Sequence, residues 1–455
     1  MQPETHSLTW LLEKQADARP STDFDSGTIE PARTEQSQKD LPLSGSDFVD
    51  WRDRLQPSCL LITAPPGSGK SVLSNFVINH LLTCEKLNAK VIYYFCNIRV
   101  ATAERTAEAV VRALIVQLCQ HQPRIMDLLP NRFEQNSDDF HKASLSELWS
   151  VMKDMVDKSP VPRIYCVIDG LDVYETGMID LVQKLGSFFS VTTSKGQPGI
   201  KLLCTSRPDR EILLAWAGQP ERQLRTHAQD LRIFVQSRIE ELEDFRPEMR
   251  AAARSALEKD IGDDSQHGGA RPTFLWASVV VRRLRNLVVP TIAKVKREIE
   301  DSSQDLDQLF EGLILKIHTR AKEYTVVLAW VVYAQQSLRL RELEHAVAIG
   351  PACGYTSYEQ LDENRPDFTP TSFRQDLGVL LDIIDDKVFV IHQSLQDFLT
   401  RTDLLERLIT SAPRLYVVDS CIRYLLLCYA KDQEPGECKE ASLPLLLLIR
   451  VLFLF

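Results

Sequence analysis

Residues 64–71 read APPGSGKS, and this short run constrains the chain more than any other. An apolar run of strand length, LLITA over 60–64, leads into it. A stretch with Leu73, Phe76, Val77 and Leu81 at helical spacing follows. Gly67 and Gly69 let the backbone curl so that several N–H groups point at one anion. The start of the helix adds its partial positive charge. In such a loop Lys70 reaches the β- and γ-phosphates of a bound polyphosphate, and the Ser71 hydroxyl holds Mg²⁺. Pro66 and Ser68 supply the rest of the anion-facing turn. The position before the two prolines, usually glycine, is Ala64. The bland alternative is a glycine-rich turn with an accidental lysine, and the strand before and helix after weigh against it.

Two further runs fit the same chemistry. IYCVIDGLD, residues 164–172, places Asp169 at the end of an apolar strand, where a carboxylate sits beside a phosphate loop and holds Mg²⁺ directly or through water. Asp172, three residues on, is placed to orient water or metal. KLLCTSRP, residues 201–208, ends a third strand in Thr205, Ser206 and Arg207. Polar groups there can read a γ-phosphate, and the Arg207 guanidinium can stabilise its charge. Taken singly, each run is also compatible with a solvated turn or a surface arginine. In this order the three are far more specific than any one.

The strand-like runs at 60–64, 91–96, 164–168 and 201–205 are mostly continuous rather than alternating, as in strands covered on both faces. A segment through Val110, Leu114 and Leu118 is helical in spacing. Strands alternating with helices predict a parallel α/β sheet. Length, at ~150 residues per domain, suggests about three domains. We read 1–50 as a short helix around Leu8, Leu11 and Leu12 plus a polar linker over 15–46, with order resuming near Phe48 and Trp51. A phosphate-loop domain spans 51–225, a helical domain 226–320, and a winged-helix-like domain 321–405. In the last, runs at 379–385 and 387–392 flank an Asp-rich turn and predict a hairpin with a helix after it. Residues 406–455 form a helical remnant with an apolar end, LPLLLLIRVLFLF. That end is shorter than a spanning helix needs and carries Arg450, so a larger helical region explains it better than a membrane anchor.

With 53 Lys and Arg against 63 Asp and Glu, the net charge of −10 gives no general pull toward nucleic acid or anionic lipid. A basic run remains at Arg271, Arg282, Arg283, Arg285, Lys294, Lys296 and Arg297. It reads more simply as a solvated helix face. The ten cysteines are scattered without CxxC or zinc spacing, and Cys96, Cys166 and Cys204 fall in apolar runs as buried hydrophobes of a reducing, cytoplasmic compartment. The N-terminus has no secretory-signal pattern.

Together PPGSGKS, VIDGLD and TSRPD resemble the motifs of the NACHT-type STAND NTPases, particularly the fungal set called nephrocystin-like at the N-terminal NTPase domain. TWLLEK and FVDWR resemble the lead-in of that family. HGGARPTFLWA (267–277) resembles its helical domain, and 328–349 with 388–399 its winged-helix region. The resemblance implies a P-loop NTPase fold and binding of ATP or GTP, and of ADP, with Mg²⁺. It also implies that His392 contacts the diphosphate of bound ADP and that Pro272 packs on the base. From the residues alone, His392 equally caps a helix and Pro272 equally starts one. The family commonly has two acids where this chain has Asp172 then Val173, with Glu175 further on, which leaves hydrolysis open. The resemblance implies a signalling switch, closed on ADP and self-associating on a triphosphate, as in fungal self/non-self recognition and cell death. A nucleotide-bound scaffold and a polymer-stimulated ATPase are the alternatives.

Overall fold

The computed structural model describes Leu8, Leu11 and residues 42–432, apart from 55, 84–88, 100–103, 175, 191–198, 263–271, 288, 303–304, 335, 351–353 and 410. The apolar end, Glu175 and Arg271 lie outside the described residues, as does most of the short helix expected around Leu8, Leu11 and Leu12. The chain divides into two compact units, the first reaching Phe234 and taking in Thr273–Leu275, the second made mainly of Val235–Pro272 and the residues from Trp276 on.

The first unit is built on five parallel strands, β1 (Ser58–Thr63), β2 (Lys90–Phe95), β3 (Arg163–Asp169), β4 (Gly199–Ser206) and β5 (Glu221–Gln223). They lie in the order β2-β3-β4-β1-β5, with Leu61 opposite Cys204 and Cys166 opposite Leu202. The four apolar runs of the sequence are therefore all strands. Because successive side chains face opposite ways, each run feeds two cores. Cys59, Leu61, Ile92, Ile164, Cys166, Ile168, Leu202 and Cys204 pack with Val110, Leu114 and Leu118 of the helix Ala107–His121 and with the helix Leu145–Asp157. Leu60, Ile62, Val91, Tyr165, Val167 and Leu203 pack instead with the helices Gly45–Asp53 and Lys70–Thr83. Burial pushes the Cys59 and Cys166 thiols up to about 12, so both are inert apolar side chains at neutral pH.

β5 carries no apolar signal. Its residues are Glu-Arg-Gln, all half-buried, and it joins the sheet through the backbone, with the Leu61 N–H donating to the Pro220 carbonyl at 3.0 Å. The segment from residue 42 also differs from the sequence expectation of a linker as far as Ser46. Ser44 is the N-cap of Gly45–Asp53, with Asp47 completing a capping box. The Leu43 N–H donates to the Gln223 carbonyl at 2.8 Å, and Leu43 is buried. Polar composition at 42–47 reflects a helix start rather than a linker. Leu8 and Leu11 are both buried in the core that holds Leu73 and Val77.

Among its described residues the second unit is mainly helical, with one hairpin. Pro247–Ile261, Ile292–Glu300, Leu306–Arg320, Glu323–Tyr333, Leu340–Ala348 and Pro413–Asp432 are among its longer members, in agreement with the helical reading of those stretches. The hairpin pairs β6 (Leu381–Ile384) with β7 (Lys387–Val390) around Asp385 and Asp386, whose φ values of 49° and 65° match the two-residue turns that suit strand twist. Arg282, Arg283 and Arg285 do not form a bare basic face: Arg282 donates to the Gly378 carbonyl, Arg283 pairs with Glu298, and Arg285 pairs with Glu241. No helix among the described residues is long and apolar enough to cross a membrane.

Replacing Ser44 by alanine removes the acceptor for the Asp47 N–H and should cost about 1 kcal/mol, read as a lower midpoint in denaturant with unchanged slope. A linker serine in that position would give no change.

Candidate functional site

Three strand ends meet the helix Lys70–Thr83. β1 runs straight into the loop 64–69, and the Ala64 N–H donates to the Ser206 carbonyl at 3.1 Å, tying the loop to the end of β4. Gly67 and Gly69 sit at φ 75° and 93°, in the region that favours glycine, as a phosphate loop requires. Space is limiting as well: a Cβ at Gly67 would lie 2.5 Å from the Leu275 Cβ, and one at Gly69 3.1 Å from the Phe274 ring. The sequence points to Pro272 in that segment. The residues that cover the glycines are its neighbours Thr273, Phe274 and Leu275.

Asp169 is the centre of the arrangement. It ends β3, is 5% exposed, and accepts three hydroxyls: Ser71 at 2.6 Å on one carboxylate oxygen, Ser74 and Thr205 each at 2.7 Å on the other. The Thr205 Oγ1 accepts in turn from the Gly170 N–H at 3.0 Å, which fixes the hydroxyl's role as donor to the acid. The pairing of Ser71 with Asp169 joins two motifs that lie 98 residues apart in the sequence. Ser74 is absent from the sequence-derived site. Its only signal there is a small polar residue on the inner face of an otherwise apolar helix, one turn beyond Ser71.

The two candidate catalytic residues, Asp172 and Arg207, also meet. Asp172 takes the Arg207 backbone N–H at 2.9 Å on one oxygen and the Arg207 Nε on the other. This pair is half sheltered, with 26% and 8% of the Arg207 and Asp172 side chains exposed. Lys70 bends back on its own loop, donating to the carbonyls of Ala64 at 2.8 Å and Pro65 at 3.1 Å. Burial lowers its amine to about 8, more than the nearby Asp172 and Asp169 raise it. Ser68 is buried, and Pro66 is half-buried on the rim of the loop.

Pro272 and His392 lie in the second unit. Pro272 is buried just ahead of the helix Phe274–Arg285. His392 is the N-cap of Gln393–Arg401, its Nδ1 accepting the Ser394 N–H at 3.1 Å. The cap that the residues alone allowed is therefore present.

The donor set suits a hard cation shared with a ligand. A carboxylate and a hydroxyl converge at a helix start, but no group of three or more His, Cys, Asp or Glu residues able to hold a metal occurs among the described residues. That pattern fits Mg²⁺, which binds through one or two protein groups and completes its shell with phosphate oxygens and water. It does not fit a closed protein cage.

Comparison with known proteins bears on part of this. Residues 41–207 match the family described as "Nephrocystin 3, N-terminal". The match runs from just before Leu43 to Arg207, so it holds all three motifs but less than half of the chain. No curated protein matches the chain. Among solved structures, the chain is similar to Cdc6p from Pyrobaculum aerophilum, at 13% identity over 79% of this chain and 90% of that one, with a TM-score of 0.34. It is similar to a point mutant of RuvB from Thermotoga maritima, at 12% identity over 77% and 90%, with a TM-score of 0.29. It is also similar to Drosophila ORC bound to DNA, at 8% identity over 81% and 94%, with a TM-score of 0.32. Likenesses this distant say nothing of this chain's chemistry.

The lowered Lys70 amine has a consequence for stability. Its folded value lies below the usual 10.5, so the folded state holds fewer protons than the unfolded chain between about 8 and 10.5. Stability from this group therefore rises with pH across that window, and the cost is fully present below about 8. Lys70→Met should melt higher than wild type at pH 7, with the gap closing toward pH 10. A gap independent of pH would contradict this.

Proposed function

We propose that the first unit binds a nucleoside polyphosphate with Mg²⁺ and works as a nucleotide-dependent switch. The observation that carries this reading is the bond from Ser71, at the start of a helix behind a glycine-bent loop, to the buried carboxylate of Asp169. Loop amides and Lys70 hold the β- and γ-phosphates, while Ser71 and Asp169 hold Mg²⁺. When bound, the ion supplies positive charge against the phosphate oxygens. Lys70 leaves the carbonyls of Ala64 and Pro65 for the polyphosphate, a stronger, charge-assisted partner.

Arg207 is the element that distinguishes di- from triphosphate. With a diphosphate it stays on Asp172. A γ-phosphate competes with Asp172 for the guanidinium, and that differential contact is what a population shift between two states requires. In this reading the chain is a STAND-type switch of the NACHT kind, with a helical and a winged-helix region after the NTPase and self-association in the triphosphate state. The nephrocystin-like match and the residue-level resemblance support this. The roles of Pro272 and His392 at the base and diphosphate rest on the family resemblance alone, as does a part in self/non-self recognition.

A specific observation favours a second reading, a nucleotide-bound scaffold with little turnover. Asp172, one of the two acids that act on the Lys70 amine, is engaged by Arg207, and Val173 stands where the resembled family commonly has a second acid. Activating a water needs a positioned base.

Calorimetry should show Mg²⁺-ADP and Mg²⁺-ATP binding to the wild type and a loss of about 10–100-fold in Lys70→Ala. If neither nucleotide binds the wild type, the proposal fails. Turnover then separates the readings: a slow ATPase abolished by Asp169→Asn supports a cycling switch, and none above the buffer rate supports the scaffold.

A further inference from the structure

The helix Pro413–Asp432 is apolar on two opposite faces. Val417, Cys421, Tyr424 and Leu427 are buried on the inner face, which packs on the helix Glu323–Tyr333. The outer face carries Leu415, Ile422 and Leu426, which are 65%, 43% and 63% exposed. Intervals of seven and four place these three on one stripe, and Asp419 is the fourth residue along it. The Asp419 carboxylate accepts from the Arg423 Nε at 2.8 Å, one turn on. A helix apolar all round belongs inside a structure, and a row of exposed aliphatic side chains marks a surface that pairs with something.

The sequence that follows the helix supplies an occupant. Residues 433–442, QEPGECKEAS, are polar and hold the turn signal Pro435 and Gly436. Residues 443–455, LPLLLLIRVLFLF, come next, with Ser442 and Pro444 where a helix start favours them. Ten residues extend to about 33 Å. The way back from Asp432 to Leu426 is only about 9 Å along the helix and about 10 Å across to a neighbouring axis. A 13-residue helix is about 20 Å long, and the stripe from Leu415 to Leu426 is about 17 Å.

One antiparallel register satisfies both the apolar residues and the charge. With Leu443 beside Leu426, Leu447 falls beside Ile422, Arg450 beside Asp419 and Leu454 beside Leu415. Both sets step by four, three and four, so each lies on one helix face. The single charge of the apolar segment then meets the single charge of the stripe. We infer that residues 443–455 fold back as a helix antiparallel to Pro413–Asp432 and cover its outer face, with Arg450 paired to Asp419. The segment thereby turns an exposed helix of the second unit into a core helix. It is too short for a spanning helix, and its one arginine is used in this pairing rather than carried into lipid.

Hydrogen exchange read by mass spectrometry on the full chain tests this, with the amides of the hairpin 381–390 as a check on the fold. In wild type the amides of 443–455 should exchange at least about tenfold more slowly than in the Ile422→Asp/Leu426→Asp variant, at any protein concentration. Leu214→Asp, which charges an exposed leucine elsewhere, should leave the segment as in wild type. Asp419→Arg should loosen the segment, and adding Arg450→Asp to it should restore protection, an outcome that a damaged fold does not give. The inference is overturned if the wild-type segment exchanges like an unprotected peptide, or if the charge-swapped pair is no better protected than Asp419→Arg alone. It is also overturned if protection grows with protein concentration, which gives the stripe to a second copy, or appears only with phosphatidylcholine vesicles, which gives the segment to a membrane.

Discussion

A nearly buried carboxylate is expensive unless its oxygens are occupied by donors. Asp169 meets that demand with three hydroxyls, from Ser71, Ser74 and Thr205. Hydrogen bonds to a charged acceptor are worth about 1.5–3 kcal/mol each. The acid therefore fixes the end of β3, the first two turns of the helix Lys70–Thr83 and the end of β4 relative to one another. A carboxylate and a hydroxyl then already face the mouth of the glycine loop before any ligand arrives.

The sheet order makes this possible. β4 lies between the loop strand β1 and the acid strand β3, so Thr205 and Arg207 emerge between the loop and the acid. Crevices at the carboxyl ends of parallel strands are where such sheets take ligands. Here β4 adds to the crevice a hydroxyl that serves Asp169 and a guanidinium that serves Asp172. In the proposed switch, the second contact is the resting partner from which a γ-phosphate would draw Arg207.

Much of this is legible in the chain. Gly67, Gly69, Lys70, Ser71, Asp169 and Arg207 sit in runs whose spacing reflects local geometry, and local geometry is what a sequence pattern encodes. The four apolar strands are legible because burial on both faces leaves a continuous apolar run. β5 is not, since Glu221, Arg222 and Gln223 pair through backbone groups that any residue possesses. The helix start at Ser44 is hidden because capping residues have the composition of a linker. The engagement of Asp172 by Arg207, the Ser74 contact and the placement of Leu8 against Asp230 join positions far apart in the chain or depend on how helices seat, and no pattern within one run records them.

The central claim is that the hydroxyl-ringed acid at 169 holds the metal of a metal–nucleotide complex. Its most direct test is Mn²⁺ in place of Mg²⁺, followed by electron paramagnetic resonance with ADP present. A protein-bound, nucleotide-dependent Mn²⁺ signal is expected in the wild type and its loss in Asp169→Asn, while ADP binding measured with chelator present survives the substitution. A bound Mn²⁺ signal of equal strength and affinity in Asp169→Asn would contradict the claim.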